Sequence, residues 1–235
     1  GKSTGAFVDF AIKEQDEKLE IYTTRPDTLY GVTFMVIAPE HPIIQKYRDS
    51  ISNIADLDAY KAECAKKSEF ERTQLAKDKT GVKIEGLTGI NPITGKEIPI
   101  YISDYVMMGY GTGAIMAVPA HDSRDYDFAK KFGIDIIEVI QGGDITKEAY
   151  TGDGKMVNSG LLNGISNKKD AIAKMLEILE EKGCGKKGVQ YKMKDWAFNR
   201  QRYWGEPIPI VHCDKCGYVP VCLLYTSPSP RRHSL

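Results

Sequence analysis

Gly111 to Asp127, GTGAIMAVPAHDSRDYD, joins a glycine-hinged strand, a proline break and a helix start in one short run. Ala114 to Val118 alternates with the period of a strand, which sets Met116 and Val118 on one face, and Pro119 ends the run. The following residues predict a helix. Asp122 stands at the N-cap, Asp125 three residues on has the spacing of a capping box, and Tyr126, Ala129 and Phe132 carry an apolar stripe to Gly133. Two carboxylates therefore crowd a helix N-terminus beside a strand end. On local grounds capping accounts for both, because an acid there satisfies orphan N–H groups, worth about 1 kcal/mol.

Outward from this junction the pattern is mixed α/β. Strands are expected at Ala6 to Ala11, Leu19 to Thr24, Val32 to Ala38, Lys83 to Glu85, Glu97 to Ile102 and Ile136 to Ile140, and their short spacing suits antiparallel pairing. Helices are expected at Ser166 to Lys182, with Ile172, Met175, Leu176 and Leu179 on one stripe, and in pieces over His41 to Gln74. There is no internal repeat and no Walker or Rossmann glycine fingerprint.

Of the 235 residues, 42% are hydrophobic and 27% charged, the balance of a folded globular body, and no apolar run is long enough to span a bilayer. The formal net charge is zero, which argues against a surface that grips nucleic acid by bulk electrostatics, so any RNA contact must be local. Five cysteines without an evenly spaced framework or a signal peptide predict a reducing, cytoplasmic setting.

A second block bears on the first. Thr23 to Thr28, TTRPDT, packs three hydroxyls, a guanidinium and a carboxylate into the end of a strand-like run. A Pro-Asp turn flanked by β-branched residues explains Pro26 and Asp27 but leaves Arg25 without a reason. In this order and spacing, the two blocks resemble the editing domain of the class I aminoacyl-tRNA synthetases. The wording MAVPAHDSRDYDFA, the stretch AYTGDGKMVNSGLLNG at Ala149 to Gly164 and FERTQLAKDKTGV at Phe70 to Val82 are most similar to the leucyl family, with valyl and isoleucyl relatives as the alternative. Asp195 to Pro209, DWAFNRQRYWGEPIP, resembles the point where such a chain re-enters the synthetic core.

The resemblance implies an α/β fold: an editing-domain β-barrel surrounded by helices over residues 1–190, then a short piece of the class I synthetic core over 191–222. GKSTG resembles the strand by which the insertion leaves that core. Residues 223–235, LLYTSPSPRRHSL, have no counterpart in the family and are set aside as a non-native tail. Neither synthetic signature of class I enzymes occurs, so the chain is expected not to activate leucine.

The resemblance also implies hydrolysis of mischarged tRNA(Leu) esters, with a non-catalytic tRNA-binding module as the alternative. Such a substrate presents an ammonium, an ester carbonyl and a ribose phosphate chain. Asp125 is assigned the ammonium, on the expectation that the helix dipole keeps it ionised. Thr23 and Thr24 offer hydroxyls to a developing oxyanion or to water, and Arg25 can hold the terminal phosphate or the carbonyl side. Thr28 is the gate against the cognate leucyl side chain, with Met116 and Val118 as the pocket wall, although ordinary core is an equally good reading of those two. Tyr110, His121 and Asp122 complete the substrate contacts. His121 is the tempting general base, but a histidine that packs or caps locally beside the helix start explains it as well.

Editing needs no cofactor, whereas the parent enzyme is expected to use ATP and Mg. Its expected partners are the tRNA(Leu) 3' end and a noncognate aminoacyl group, on a monomer without membrane attachment. Arg200, Arg202, Tyr203 and Trp204 suit either RNA stacking or synthetic-domain core. Cys213 and Cys216 in HCDKC form half of a tetrahedral zinc site, to which Cys222 could add a third ligand; a zinc-ribbon interaction domain is the reading that follows from this segment alone.

Overall fold

Alternation of side chains builds the first strand. In β1 (Lys2–Ile12) Ala6, Val8, Phe10 and Ile12 are all buried, while Phe7, Asp9 and Ala11 on the other face are half-buried. β2 (Lys18–Thr23) pairs antiparallel with it, Phe10 opposite Leu19 and Ala6 opposite Thr23. The computed structural model describes residues 2–67, 72, 80–108, 111–191 and 210–220. It divides into two units, residues 1–191 and 192–235.

The first unit is a mixed sheet with helices. β3 (Phe34–Ile37), β4 (Val82–Ile90), β5 (Glu97–Ile102) and β6 (Ala114–Ala117) extend the sheet in the order β2-β1-β4-β5-β3-β6. A two-stranded ribbon, β7 (Ile140–Gln141) with β8 (Lys155–Met156), stands apart, and β9 (Gly185–Tyr191) pairs with Lys2 to Val8 of β1. One ladder departs from the antiparallel expectation: β3 and β5 run parallel, because α1 (Pro42–Lys46), α2 (Ile54–Cys64) and β4 intervene and return the chain in the same direction. The residues expected as helix up to Gln74 lie outside the described residues from 68 onward, apart from Arg72.

The expected β-barrel is not closed. The outermost strands β2 and β6 approach one another, yet no ladder joins them among the described residues. Both edges stop early for local reasons: β2 gives way at Thr23 to the turn before Pro26, and β6 has only four residues before Val118 and Pro119. The strand expected at Ile136 to Ile140 is likewise reduced to β7, because the Val139 and Ile140 amides donate to a histidine ring instead of a ladder.

Period-2 alternation separates two apolar clusters. Met35, Ile37, Ile100, Ile102 and Val118 face the main core, whereas Phe34, Val36, Tyr101 and Ala117 face α3 (Ser123–Phe132). There the Phe128 ring stacks on Phe34 at 5.1 Å and meets Tyr101 edge-on at 5.2 Å. Gly133 ends α3 at φ 66°, a left-handed cap that glycine enters without steric cost. On the other side α4 (Lys168–Glu181), capped by Asn167, buries Ala171, Met175, Ile178 and Leu179 and packs against β9 and the turn Pro26–Gly31. Among the described residues no helix is long and apolar enough to cross a membrane.

In the second unit β10 (Ile210–Cys213) and β11 (Gly217–Pro220) form a hairpin. The segment Asp195 to Pro209 with Arg200, Arg202, Tyr203 and Trp204, together with Cys222 and residues 223–235, lies outside the described residues.

Candidate active site

The TTRPDT turn is tied to itself around one residue. Pro26 starts a 3-10 helix over Pro26–Gly31, with Arg25 at its N-cap. The Arg25 amide donates to Thr23 Oγ1 at 3.0 Å, and the Arg25 carbonyl accepts from both the Thr28 amide at 3.2 Å and Thr28 Oγ1 at 2.9 Å. The Arg25 guanidinium grips the Asp27 carboxylate through Nε, at 3.1 Å to Oδ1 and 3.2 Å to Oδ2, and through Nη2, at 2.8 Å to Oδ2. Thr24 is exposed. Thr28 is buried, and its hydroxyl is occupied by the turn, so its methyl is what remains to meet a ligand. A cavity of about 10 Å³, room for about one water, opens beside Arg25 and Asp27 toward Asp153, Asn167 and Lys168.

The same turn leans on the strand-helix junction. A side chain on Gly31 would stand 3.2 Å from Val118 Cγ1 and 3.1 Å from Val139 Cγ2, so the glycine permits this approach. The Thr33 amide donates to the Ala117 carbonyl at 3.3 Å. Val118 is buried in the main core, while Met116 packs half-buried against it. Tyr110 lies outside the described residues.

At the junction the two carboxylates divide their work. Asp122 caps α3, Oδ1 accepting from the Arg124 amide at 2.9 Å and the Asp125 amide at 3.3 Å. The reciprocal half of the expected capping box is absent: the Asp122 amide donates to the Val118 carbonyl, and Asp125 Oδ2 instead accepts from the Val118 amide at 2.9 Å. Asp125 therefore closes the strand rather than the helix.

Its charge state also departs from expectation. Burial, reinforced by the negative charge of Asp122, pushes the Asp125 carboxyl up to about 7, against the weaker pull of the Val118 hydrogen bond and of Arg124. A rule based on helix dipoles sees the position of a carboxylate in the helix and not its loss of water. Three aspartates are buried in the described structure, and the comparison among them is informative. Asp27 is paired with Arg25 and Asp104 with Lys67 at 2.9 Å, whereas Asp125 has no ion pair among the described residues.

His121 is a structural tie. Its Nδ1 lies 2.8 Å from the Tyr150 carbonyl and donates to it, while Nε2 accepts from the Val139 and Ile140 amides, both at 3.0 Å. Both nitrogens are engaged. Burial holds its basicity below the usual histidine range, and the positive charge of Arg25 adds to the effect. The ring thus joins the junction to the β7 strand instead of presenting a free base. The residue that sequence reasoning missed is Asp27: the carboxylate two places from Arg25 across a proline was the available signal.

In the second unit, the amides of Lys215 and Cys216 donate to the Cys213 sulfur and lower its thiol pKa, as a turn that stabilises a thiolate does. Among the described residues no three metal-ligating side chains stand together, so Cys213 and Cys216 remain a pair.

The chain is similar to known proteins. Residues 1–180 match the family described as leucyl-tRNA synthetase, editing domain, which sets the class as an editing module of an aminoacyl-tRNA synthetase. The leucine-tRNA ligase of Alkaliphilus oremlandii (strain OhILAs) is 61% identical over 223 residues, covering 94% of this chain and 28% of that protein. That of Elusimicrobium minutum (strain Pei191) is 57% identical over 222 residues, covering 94% of this chain and 26% of that protein. A solved structure, the ternary complex of Agrobacterium radiobacter K84 agnB2 LeuRS with tRNA and LeuAMS, superposes with a TM-score of 0.65 at 36% identity, covering 94% of this chain and 24% of that one. The chain belongs to the leucyl-tRNA synthetase family and contains its editing domain. It spans about a quarter of the length of the curated relatives it matches.

Proposed function

We propose that this chain carries a hydrolytic editing site that deacylates tRNA(Leu) mischarged with isoleucine, norvaline or a similar residue. One observation supports the reading above the others: Asp125 is a buried carboxylate with no ion pair among the described residues, and the α-ammonium of an aminoacyl ester is a partner of the right charge and size. The ester is already activated, so orientation of water and stabilisation of the developing oxyanion suffice, each contributing roughly a few kcal/mol. Thr23 and Thr24 stand at the β2 end for that work, and Arg25 takes the phosphate chain. Thr28, acting through its methyl, excludes the cognate leucyl side chain from the wall formed by Met116 and Val118. Tyr110, His121 and Asp122 frame the site, His121 as a scaffold.

Residues 1–190 form the editing module on this reading, 191–222 the return into the synthetic core and 223–235 a non-native tail. The whole enzyme, a monomer in the cytoplasm, ligates leucine to tRNA with ATP and Mg, and editing itself uses no cofactor. Cys213 and Cys216 fit half of a thiolate zinc site, where a zinc ion would brace the hairpin. Incubating the chain with isoleucyl-tRNA(Leu) tests the proposal. Ester loss is expected with the native chain and not with Asp125→Ala; equal hydrolysis by both would remove Asp125 from the anchor role.

A further inference from the structure

We infer that Asp27 is the positioning residue of the site, holding the Arg25 guanidinium so that its free edge faces the phosphate chain of the substrate. This rests on the editing function proposed above and assigns a role to a residue that does not itself touch substrate.

A guanidinium has five N–H donors in a rigid plane, and Asp27 takes the Nε side and one Nη2 proton, leaving Nη1 without a partner among the described residues. Asp27 is 1% exposed and Arg25 27%, so the carboxylate lies at the root and the cation at the mouth. The geometry is over-determined by the same six residues. Thr23 Oγ1 fixes the Arg25 amide, Thr28 fixes its carbonyl, and Pro26 sets the turn that brings Asp27 back under the side chain. Thr23 and Thr28 hold the Arg25 backbone as the turn requires, and among the described residues Asp27 alone holds its guanidinium. A cationic arm that must meet a singly charged phosphodiester in one orientation needs both: a fixed backbone and a fixed guanidinium plane.

Asp27 also explains why the arm is arginine. A lysine would offer a point charge to the buried carboxylate and would be consumed by it, whereas the planar fork can face two oxygen partners at once, one on each side. The carboxylate cannot be replaced by a neutral group without freeing the side chain to rotate about its long stem.

The test uses the full chain and the variants Asp27→Asn, Arg25→Lys and the double variant. Asp27→Asn is nearly isosteric, and retention of the native circular dichroism in each variant is checked first. In steady-state deacylation of isoleucyl-tRNA(Leu), each single variant should raise KM by roughly tenfold to a hundredfold with kcat changed far less, and the double should be no worse than the poorer single. In a ¹H–¹⁵N spectrum of the native chain, the Arg25 Nε–H should give a resolved, slowly exchanging signal that is lost in Asp27→Asn. Persistence of that signal in Asp27→Asn, or multiplication of the two single effects in the double variant, would overturn the inference. Absence of hydrolysis by the native chain would instead defeat the editing assignment, and the Arg25 signal would still decide whether Asp27 holds the arm.

Discussion

Asp125→Asn should make the protein more stable, and the gain should appear only as the pH rises. The Asp125 carboxyl titrates at about 7 in the folded chain against 3.8 for the unperturbed group. A carboxyl whose folded pKa is raised binds its proton more tightly in the native state. Its stabilising contribution is therefore complete below about pH 4 and is lost as pH climbs to about 7. The difference of about 3 units, at 1.36 kcal/mol each, corresponds to about 4 kcal/mol. Asparagine keeps the size and an oxygen for the Val118 amide, yet carries no charge. His121 titrates in the opposite sense: its lowered pKa makes stability fall as pH drops through the histidine range, so wild type alone would show a mixture.

Subtracting the two proteins isolates Asp125. Urea unfolding followed by circular dichroism at pH 4, 5.5, 7 and 8.5 gives the difference directly. The variant and wild type should be close at pH 4, and the variant should lead by about 4 kcal/mol at pH 8.5, with a slope near 1.4 kcal/mol per pH unit in between. Any steric offset from the new amide would be the same at every pH. A difference that does not change with pH would refute the reasoning, because it would mean that Asp125 is no harder to ionise in the folded chain than in the unfolded one.

Thr28→Ala should allow the chain to hydrolyse correctly charged leucyl-tRNA(Leu), while Thr28→Ser, which keeps the hydroxyl and loses the methyl, should do the same; protection retained in the serine variant would show that the hydroxyl is the gate. The kcat/KM for mischarged ester should rise about tenfold per pH unit up to about 7 and fall again where the substrate ammonium loses its proton, since both partners must be charged; a flat profile between pH 5.5 and 7 argues against Asp125. His121→Ala should lower stability by about 2 to 4 kcal/mol by leaving the Val139 and Ile140 amides and the Tyr150 carbonyl without their partner, measurable by thermal melting. Its kcat on the folded fraction should change only a few-fold.

Local periodicity made the junction legible. The strand at Ala114, the break at Pro119, the cap at Asp122 and the left-handed stop at Gly133 follow from spacing alone, and the structure has each of them. β5 over Glu97–Ile102 and the helix α4 were legible for the same reason. β9 was not. GKKGVQY has no apolar alternation, and it becomes a strand because the first half of β1 offers an unpaired edge and α4 covers it. Closure of the barrel was equally out of reach, since it depends on whether two edges, distant in sequence, meet in register. Within the site, the identities were visible, but the partners were not: nothing in DSRDYD says that Asp125 reaches back seven residues to Val118, or in TTRPDT that the Thr28 hydroxyl turns inward.

What distinguishes the site physically is a contrast between carboxylates of one type. Asp122 and Asp125 are three residues apart, yet the first is partly solvated and makes the helix cap, while the second is desolvated with one amide partner. Asp27 is more deeply buried than Asp125 and still has its cation within reach. Among the described residues Asp27 and Asp104 have a counter-charge and Asp125 has none, so an incoming ammonium there would restore the balance. The cost of that arrangement falls on stability at neutral pH. On the proposed reading its benefit would be selectivity for a cationic ligand, because a neutral one offers the carboxylate no counter-charge and leaves it protonated. A carboxyl pushed up to about 7 would also lose its proton readily on meeting an ammonium, which would couple binding to ionisation.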